Sequence, residues 1–492
     1  MLSLALLVFC SVCVWVKYFH VKSNAHALPP ALPGEWPIIG HSFMLYKHIT
    51  RLWDLVTYAA EDCAKKGGVT YLKIGSKLYY LITDHQDALT AANLCMKKPY
   101  ANDSIKAWMG DGLLISSGEV WKHHRKLLTP AFSLPVLHGF LDVFNSQSKR
   151  LASSMESNVG KGLFDHSFYL KENSLETFFV GTLGISAIDD VEFAQKYMES
   201  VNDMVALGLS RGIKFWLQND YMFRLVGLKK KEEELVKTLH GMTDKVLQKK
   251  KAAMEDEALY NHSIMSDTTE TKYKPFLDLF LELSKNGALT DEEIREELAV
   301  IVAAGFETTA NQLTYTLLLL GAHPKVQEKV YEELLEVLGA DRDVHKDDVN
   351  KLVYTNAVLM ESLRFVPVVP ALIRYVDNDV KLKNYTMRAG SHCCILPLAT
   401  HLDPSWGAEI DQFRPERWLD GDFRNDKEFA AFGLGKRSCI GRAYAMISMK
   451  VTLAHLLRRY RVKADMSKLK LIFEILLKPA SGCEISIERR TQ

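Results

Sequence analysis

Over most of the chain after Gly40, apolar residues recur every three to four positions, the spacing that gathers them on one face of an α-helix. Two stretches carry this pattern at length, residues 229–257 and residues 289–321. The first is dense in charge of both signs and reads as a helix with a solvated face. The second is apolar through much of its length and reads as a buried helix. Three zones depart from the helical period. Residues 70–83 (TYLKIGSKLYYLIT) form two β-rich runs around Gly75-Ser76 and predict a hairpin. Residues 380–400 and 469–489 are also β-rich, the latter broken at Pro479-Ala480-Ser481-Gly482. With no internal repeat and no boundary signal after Gly40, the pattern predicts one mainly α-helical body with small β-sheets.

The amino terminus differs. Residues 2–16 are uncharged and apolar, and Lys17 and Lys22 flank their C-terminal side. If Lys17 snorkels, the helix continues far enough to act as a membrane anchor over residues 1–22. No Lys or Arg precedes the stretch, so the positive-inside rule puts the body in the cytosol. The rival is a cleaved signal peptide, for which Ala25-His26-Ala27 would be the cleavage site. Pro29, Pro30, Pro33 and Pro37 stiffen a hinge over residues 23–40, leaving residues 41–492 as the body. Residues 213–228, rich in Phe, Trp, Tyr and Leu, read either as a buried loop or as a surface that dips into lipid.

Composition narrows the function. The 492 residues are 48% hydrophobic and 25% charged, which excludes a disordered or collagen-like chain. Lys and Arg number 61 and Asp and Glu 60, so no global field draws the chain to nucleic acid. The eight Cys are scattered without paired CxxC motifs, which argues against a zinc site and for reduced thiols.

Chemistry concentrates in Phe432-Gly433-Leu434-Gly435-Lys436-Arg437-Ser438-Cys439-Ile440-Gly441. Glycines permit tight turns close to a flat ligand. Helix-forming sequence begins at Arg442, so Cys439 falls near a helix N-terminus, where the dipole and unpaired N–H groups favour a thiolate. Taken alone, Cys439 could equally be a buried structural thiol or a nucleophile. Glu361-Ser362-Leu363-Arg364 pairs an acid and a base at i, i+3, with Arg417 as a third partner that would satisfy them if buried. Trp121 and Arg125 share a helix face; Arg374 follows the turn at Pro367–Pro370; each alone is an ordinary core or surface residue. Within residues 303–309, Gly305, Thr308 and Thr309 are poor mid-helix choices, and Thr hydroxyls that take i−4 carbonyls would distort the helix into a groove.

Phe432, Gly435, Arg437, Cys439 and Gly441 resemble the F-x-x-G-x-R-x-C-x-G signature of the cytochrome P450 family. Glu361-x-x-Arg364, Pro415-Glu416-Arg417-Trp418 and Ala304-Gly305-Phe306-Glu307-Thr308 are similar to further elements of that family, with Trp418 where Phe is usual. The resemblance runs from the proline segment to the C-terminus and implies the cytochrome P450 fold behind one N-terminal membrane-anchor helix. It implies a haem b whose iron is ligated by the Cys439 thiolate. Trp121, Arg125, Arg374 and Arg437 would bind its propionates, with Phe432, Gly433, Gly441 and Gly305 against the cofactor. Glu307 is implied as a proton relay and Thr308 as the hydroxyl that holds the iron-bound oxygen species and its water. The activity implied is monooxygenation of a lipophilic small molecule (fatty acid, terpenoid or steroid-like compound, or xenobiotic) with O2 and electrons from NADPH. Those electrons would come through NADPH-cytochrome P450 reductase, with cytochrome b5 as a candidate second donor. The implied location is the endoplasmic reticulum membrane. Lys122, His123, His124, Arg125, Lys126 and Lys436 would face the reductase.

The fatty-acid-hydroxylase clan is the nearest subfamily reading. Several vertebrate members esterify haem through a Glu one residue before the Gly of the helix element. Ala304 stands there, so the haem is expected to be non-covalent and strict terminal-carbon selectivity is not implied. The alternatives are a haem-thiolate isomerase or dehydratase that does not use O2, a non-catalytic haem or ligand carrier, and a membrane-anchored Cys hydrolase. Substrate contacts are expected from residues 101–114, 213–228, 366–369 and 372–373.

Overall fold

The computed structural model describes residues 28–99, 103–184, 191–261, 274–403, 406–407, 409–419 and 429–490. The helical period is realised in α1 (Leu52–Lys65), α2 (His85–Leu94), α3 (Gly118–Leu128), α4 (Leu141–Met155), α5 (Ser167–Leu183) and α6 (Val191–Ile213). It continues in α7 (Leu228–Asn261), α8 (Phe276–Lys285), α9 (Asp291–Ala322), α10 (Pro324–Leu338), α11 (Val353–Phe365) and α12 (Arg442–Arg459). The β-rich zones give β1 (Val69–Ile74), β2 (Lys77–Ile82), β4 (His392–Ile395), β6 (Lys470–Glu474), β7 (Leu476–Ser481) and β8 (Glu484–Arg489), while β3 (Leu372–Tyr375) and β5 (Tyr460–Ala464) form outside them. The expected mainly helical body with small sheets is what forms. The anchor expected over residues 1–22 lies outside the described residues; among those described, no helix is long and apolar enough to cross a membrane.

The apolar stretch at 289–321 becomes α9, and the other layers pack around it. A reciprocal capping box between Thr290 and Glu293 satisfies its first N–H groups. Every residue from Thr309 to Gly321 is buried. Of the polar ones, Thr314 and Thr316 donate to the carbonyls of Ala310 and Gln312, at 2.9 and 2.8 Å, whereas the Asn311 amide is buried without a partner among the described residues. At Gly321 a Cβ would come within 2.7 Å of Ala464, so glycine is what lets β5 lie against the end of α9. The α9 helix is unbroken across 303–309, which corrects the expected distortion. The Thr308 and Thr309 hydroxyls do take the Ala304 and Gly305 carbonyls, at 2.7 and 2.9 Å, and the helix absorbs these bonds without leaving the α pattern.

The largest sheet has strand order β1-β2-β4-β3. The predicted hairpin pairs Val69 with Ile82, and β4 joins β2 in parallel. The proline segment docks on the outer edge, where the Leu32 N–H donates to the Tyr71 carbonyl at 2.8 Å. His41 locks it there: its Nδ1 accepts the Lys73 N–H at 3.0 Å, which leaves Nε2 to donate to the Leu32 carbonyl at 2.7 Å. The C-terminal zone differs from expectation. Its tight turn is at Ile475, which sits at φ +83°, and β7 runs on through Pro479. Pro479 is tolerated because β6 and β7 form a separate two-stranded sheet, with an irregular register at that point.

Glu361, Arg364 and Arg417 form a fully buried clamp. Arg364 meets Glu361 with two parallel bonds, Nε to Oε2 at 2.9 Å and Nη2 to Oε1 at 2.8 Å, and both residues are 0% exposed. Arg417 Nε reaches Oε1 at 3.1 Å. The Trp418 indole N–H donates to Oε2 at 2.9 Å, a bond that phenylalanine could not make. The other three Arg364 N–H protons go to the carbonyls of His401, Ile410 and Gln412, and Arg417 donates further to those of Trp406 and Glu409. Every nitrogen of both guanidiniums thus has an acceptor, which offsets much of the burial cost. Replacing Glu361 with Gln leaves two buried guanidinium groups without their anion. We expect it to lower unfolding stability by about 3–5 kcal/mol in a denaturant titration; an unchanged midpoint would contradict the clamp.

Candidate active site

The loop 432–441 is shaped by two left-handed glycines, Gly433 at φ +77° and Gly435 at φ +63°. A Cβ on Gly435 would fall 2.5 Å from Asn93 Oδ1, so the loop also needs glycine to pass α2. The Cys439 N–H closes the loop on the Phe432 carbonyl at 2.7 Å, and the Gly441 backbone hydrogen-bonds to the sulfur. With α12 starting at Arg442, Cys439 does lie beside a helix N-terminus. The thiol does not follow the expected direction, however. The Cys439 side chain is itself accessible, but the protein packed around it desolvates the thiol and raises its pKa, and the Gly441 bond, Arg125 and Arg442 oppose this without overturning it. A metal cation bound at this sulfur would supply the missing positive charge, since a coordinating thiol is deprotonated outright.

Around this loop the structure gathers cations. Arg125 Nη1 donates to the Ser438 carbonyl at 2.9 Å. Arg437 stacks over the Trp121 ring at 4.8 Å and donates to the carbonyls of Met96, Leu113 and Ser116. Arg374 on β3 is 5% exposed, bonds only the Ile373 carbonyl through Nη1, and leaves Nε buried without a partner. A fourth cation, Lys98, was not singled out from the sequence. Burial pushes its ammonium well below the ordinary value, and Arg374 and Arg437 press in the same direction. Burial also lowers Arg125 and Arg374, and takes Arg437 down to about 10, with Arg374 and Arg125 adding to the shift. Among the described residues none of the four forms an ion pair with a carboxylate. Buried positive charge without an anion is costly by several kcal/mol. A planar cofactor with two carboxylates and a sulfur-seeking metal has the chemistry this donor set lacks.

On α9, Glu307 and Thr308 are half-buried neighbours that point to different partners. Thr308 donates to its own helix, whereas Glu307 Oε1 pairs with Lys478 Nζ of β7 at 2.8 Å. Lys478 is also 3.6 Å from Glu474 on β6. Neither lysine contact was legible in the sequence, since nothing in it placed the C-terminal hairpin over this turn of α9. Two bonds fix that hairpin: the Leu477 N–H to the Val368 carbonyl at 2.7 Å, and the Tyr315 hydroxyl to the Leu477 carbonyl at 2.8 Å. Gly305 has a packing reason of its own, because a Cβ there would overlap the Phe178 ring at 1.8 Å. Two members of the expected reductase-facing cluster turn inward: His124 is 2% exposed and faces α9, and Arg125 is half-buried with its guanidinium on the Ser438 carbonyl. Lys122, His123, Lys126 and Lys436 remain exposed.

Comparison with known proteins agrees with this chemistry. A family model described as Cytochrome P450 matches residues 29–486. The chain is 30% identical to Cytochrome P450 4g15 of Drosophila melanogaster, over 97% of this chain and 95% of that protein. It is 32% identical to Cytochrome P450 4c3 of the same organism, over 93% and 89%, and 31% identical to Cytochrome P450 4V2 of Homo sapiens, over 94% and 90%. The thiol loop, the cations without anions and the full-length match have one common explanation: this chain belongs to the cytochrome P450 family of haem-dependent monooxygenases.

Proposed function

We propose that the chain inserts one oxygen atom of O2 into a lipophilic small molecule (fatty acid, terpenoid or steroid-like compound, or xenobiotic). Its electrons come from NADPH through NADPH-cytochrome P450 reductase, with cytochrome b5 as a candidate second donor. The observation that carries the reading is the gathering near Cys439 of one buried cation, Arg374, and three half-buried ones, Lys98, Arg125 and Arg437, without a carboxylate partner among the described residues. Cys439 holds the metal through sulfur. Lys98, Arg125, Arg374 and Arg437 hold the two propionates, and Trp121 backs the Arg437 guanidinium. When bound, the haem supplies the oxygen-activating and bond-making chemistry.

The chain's own residues orient substrate and meter protons. Glu307, paired with Lys478, would exchange protons with water, and the water that carries them inward would hydrogen-bond to the Thr308 oxygen on its way to the reacting oxygen. Thr308 spends its own proton on the Ala304 carbonyl, so its oxygen lone pairs are available to accept. The haem is held without a covalent link, because Ala304 offers no carboxylate. Substrate is enclosed by residues 103–114, 213–228, 366–369 and 372–373, together with the hairpin β6–β7 fastened to Val368. Lys122, His123, Lys126 and Lys436 form the exposed basic face for the reductase, where complementary charge raises the association rate.

The body is arranged as a domain of residues 41–492 behind a hinge at 23–40 and an anchor at 1–22, on the endoplasmic reticulum membrane facing the cytosol. Its surface supports a membrane-facing edge. Trp36, Ile38, Phe43 and Tyr46 are each more than half exposed, as are Tyr221 and Leu225. The two groups meet through Tyr46 and Trp216, with ring centroids 5.8 Å apart.

Two experiments test this function. Purified protein with reductase and NADPH, under 18O2, is expected to add one labelled oxygen atom to members of a lipophilic panel, read by mass spectrometry. Turnover that needs no NADPH would favour an isomerase or dehydratase, and NADPH consumption without any organic product would favour a carrier. Separately, Lys98→Met and Arg374→Met are each expected to lower the haem-to-protein ratio. The loss should disappear when haem dimethyl ester replaces haem, because the ester has no carboxylates to hold. Equal loss for both forms would refute the propionate role.

A further inference from the structure

Two buried ionisable residues take no part in the reaction proposed above. His124 lies on α3 between Trp121 and Arg125, and Glu297 lies on α9, 0% exposed. His124 Nδ1 is 2.6 Å from Glu297 Oε1, and its Nε2 is 3.6 Å from Glu293 Oε1. The same Glu297 oxygen accepts the Leu113 N–H at 2.9 Å. The Leu113 carbonyl in turn accepts from Arg437 Nη1 at 3.2 Å. A continuous chain therefore runs from α3 through α9 and the loop before α3 to the cysteine loop. Gly112 keeps that loop tight on α9, since a Cβ there would meet Val300 at 2.8 Å.

Glu297 is unevenly satisfied. One oxygen takes two donors, and the other, Oε2, is buried with none. A fully buried carboxylate in that condition depends on a neighbouring cation for compensation. The charged groups facing His124 are Glu297 and Glu293, both from α9. On its own helix His123 lies alongside, ring centroids 5.8 Å apart, and Arg125 turns to Ser438. From the loop, Asp111 faces Glu296.

We propose that His124 and Glu297 form a charged brace that positions the Leu113–Arg437 arm against α9, so that the grip on the haem propionates depends on the charge of this pair. The inference rests on the propionate reading above. Both are positioning residues, since neither is part of the cation set itself. The hydrogen bond to Glu297 raises the His124 pKa, with burial opposing. A group raised in the folded state contributes fully below its unfolded value, about 6.5, and loses its contribution as pH rises through the higher folded value. The brace thus weakens on the alkaline side.

The test is transfer of haem from the ferric holoprotein to excess apomyoglobin, followed by absorbance from about pH 6 to about pH 9. Wild-type release is expected to accelerate several-fold across that range. His124→Gln keeps a hydrogen-bonding side chain without charge; it should release haem faster near pH 6 and lose the pH dependence. Glu297→Gln should do the same, and the double variant should be no worse than either. A wild-type profile that is flat overturns the brace even if the variants fail to fold, as does a His124→Gln profile that parallels the wild type. A protein with no Soret band at any pH refutes the cofactor reading, and the brace's role falls with it.

Discussion

Positive charge drawn together, buried or half-buried, without a carboxylate among the described residues is the constraint on which the site depends. Lys98, Arg125, Arg374 and Arg437 arrive from the segment after α2, from α3, from β3 and from the cysteine loop. Bringing them together costs free energy that backbone carbonyls only partly offset. The cost is tolerated because the surrounding scaffold is rigid where it needs to be. The Glu361 clamp fixes α11 against the segment 415–418, and α9 is buried on all sides through its C-terminal half. A cofactor with two carboxylates would offset part of that charge and join four distant parts of the chain at once.

The sulfur follows a related logic. A helix N-terminus and two arginines do not by themselves make Cys439 a thiolate, because burial works against them. The protein instead offers a preformed loop, set by Gly433 and Gly435, in which a metal completes the charge balance. Opposite it, α9 carries an acid and a hydroxyl side by side but directs them to different partners. Glu307 is held by the β6–β7 hairpin through Lys478, and that hairpin is fastened to Val368 at the expected substrate pocket. The proposed proton route and the expected pocket wall would thereby share one structural element.

Legibility in the sequence followed the range of the interactions. The cysteine loop, the β1–β2 hairpin, α7, α9 and the Glu361–Arg364 pair are local patterns, and each could be read from spacing. Lys98 could not, because an isolated lysine acquires meaning only when β3 and the cysteine loop close over it from remote parts of the chain. Lys478 stayed hidden for the same reason. His124 was read as surface because four basic neighbours surround it in sequence, whereas the helical turn carries it inward to Glu297. The turn at Ile475 gave no signal either, since a β-branched residue in the left-handed region has no local warning. Trp418 in place of Phe, at first a neutral exchange, proved to donate a hydrogen bond to Glu361.

The sulfur–iron bond proposed at Cys439 would join these features, and the carbon monoxide complex of the reduced, intact protein reports on it directly. The expected result is the long-wavelength Soret band of a thiolate-ligated haem, lost in Cys439→Ala. A band of the shorter-wavelength, imidazole-ligated kind, or a thiolate-type band that persists without Cys439, would contradict the assignment.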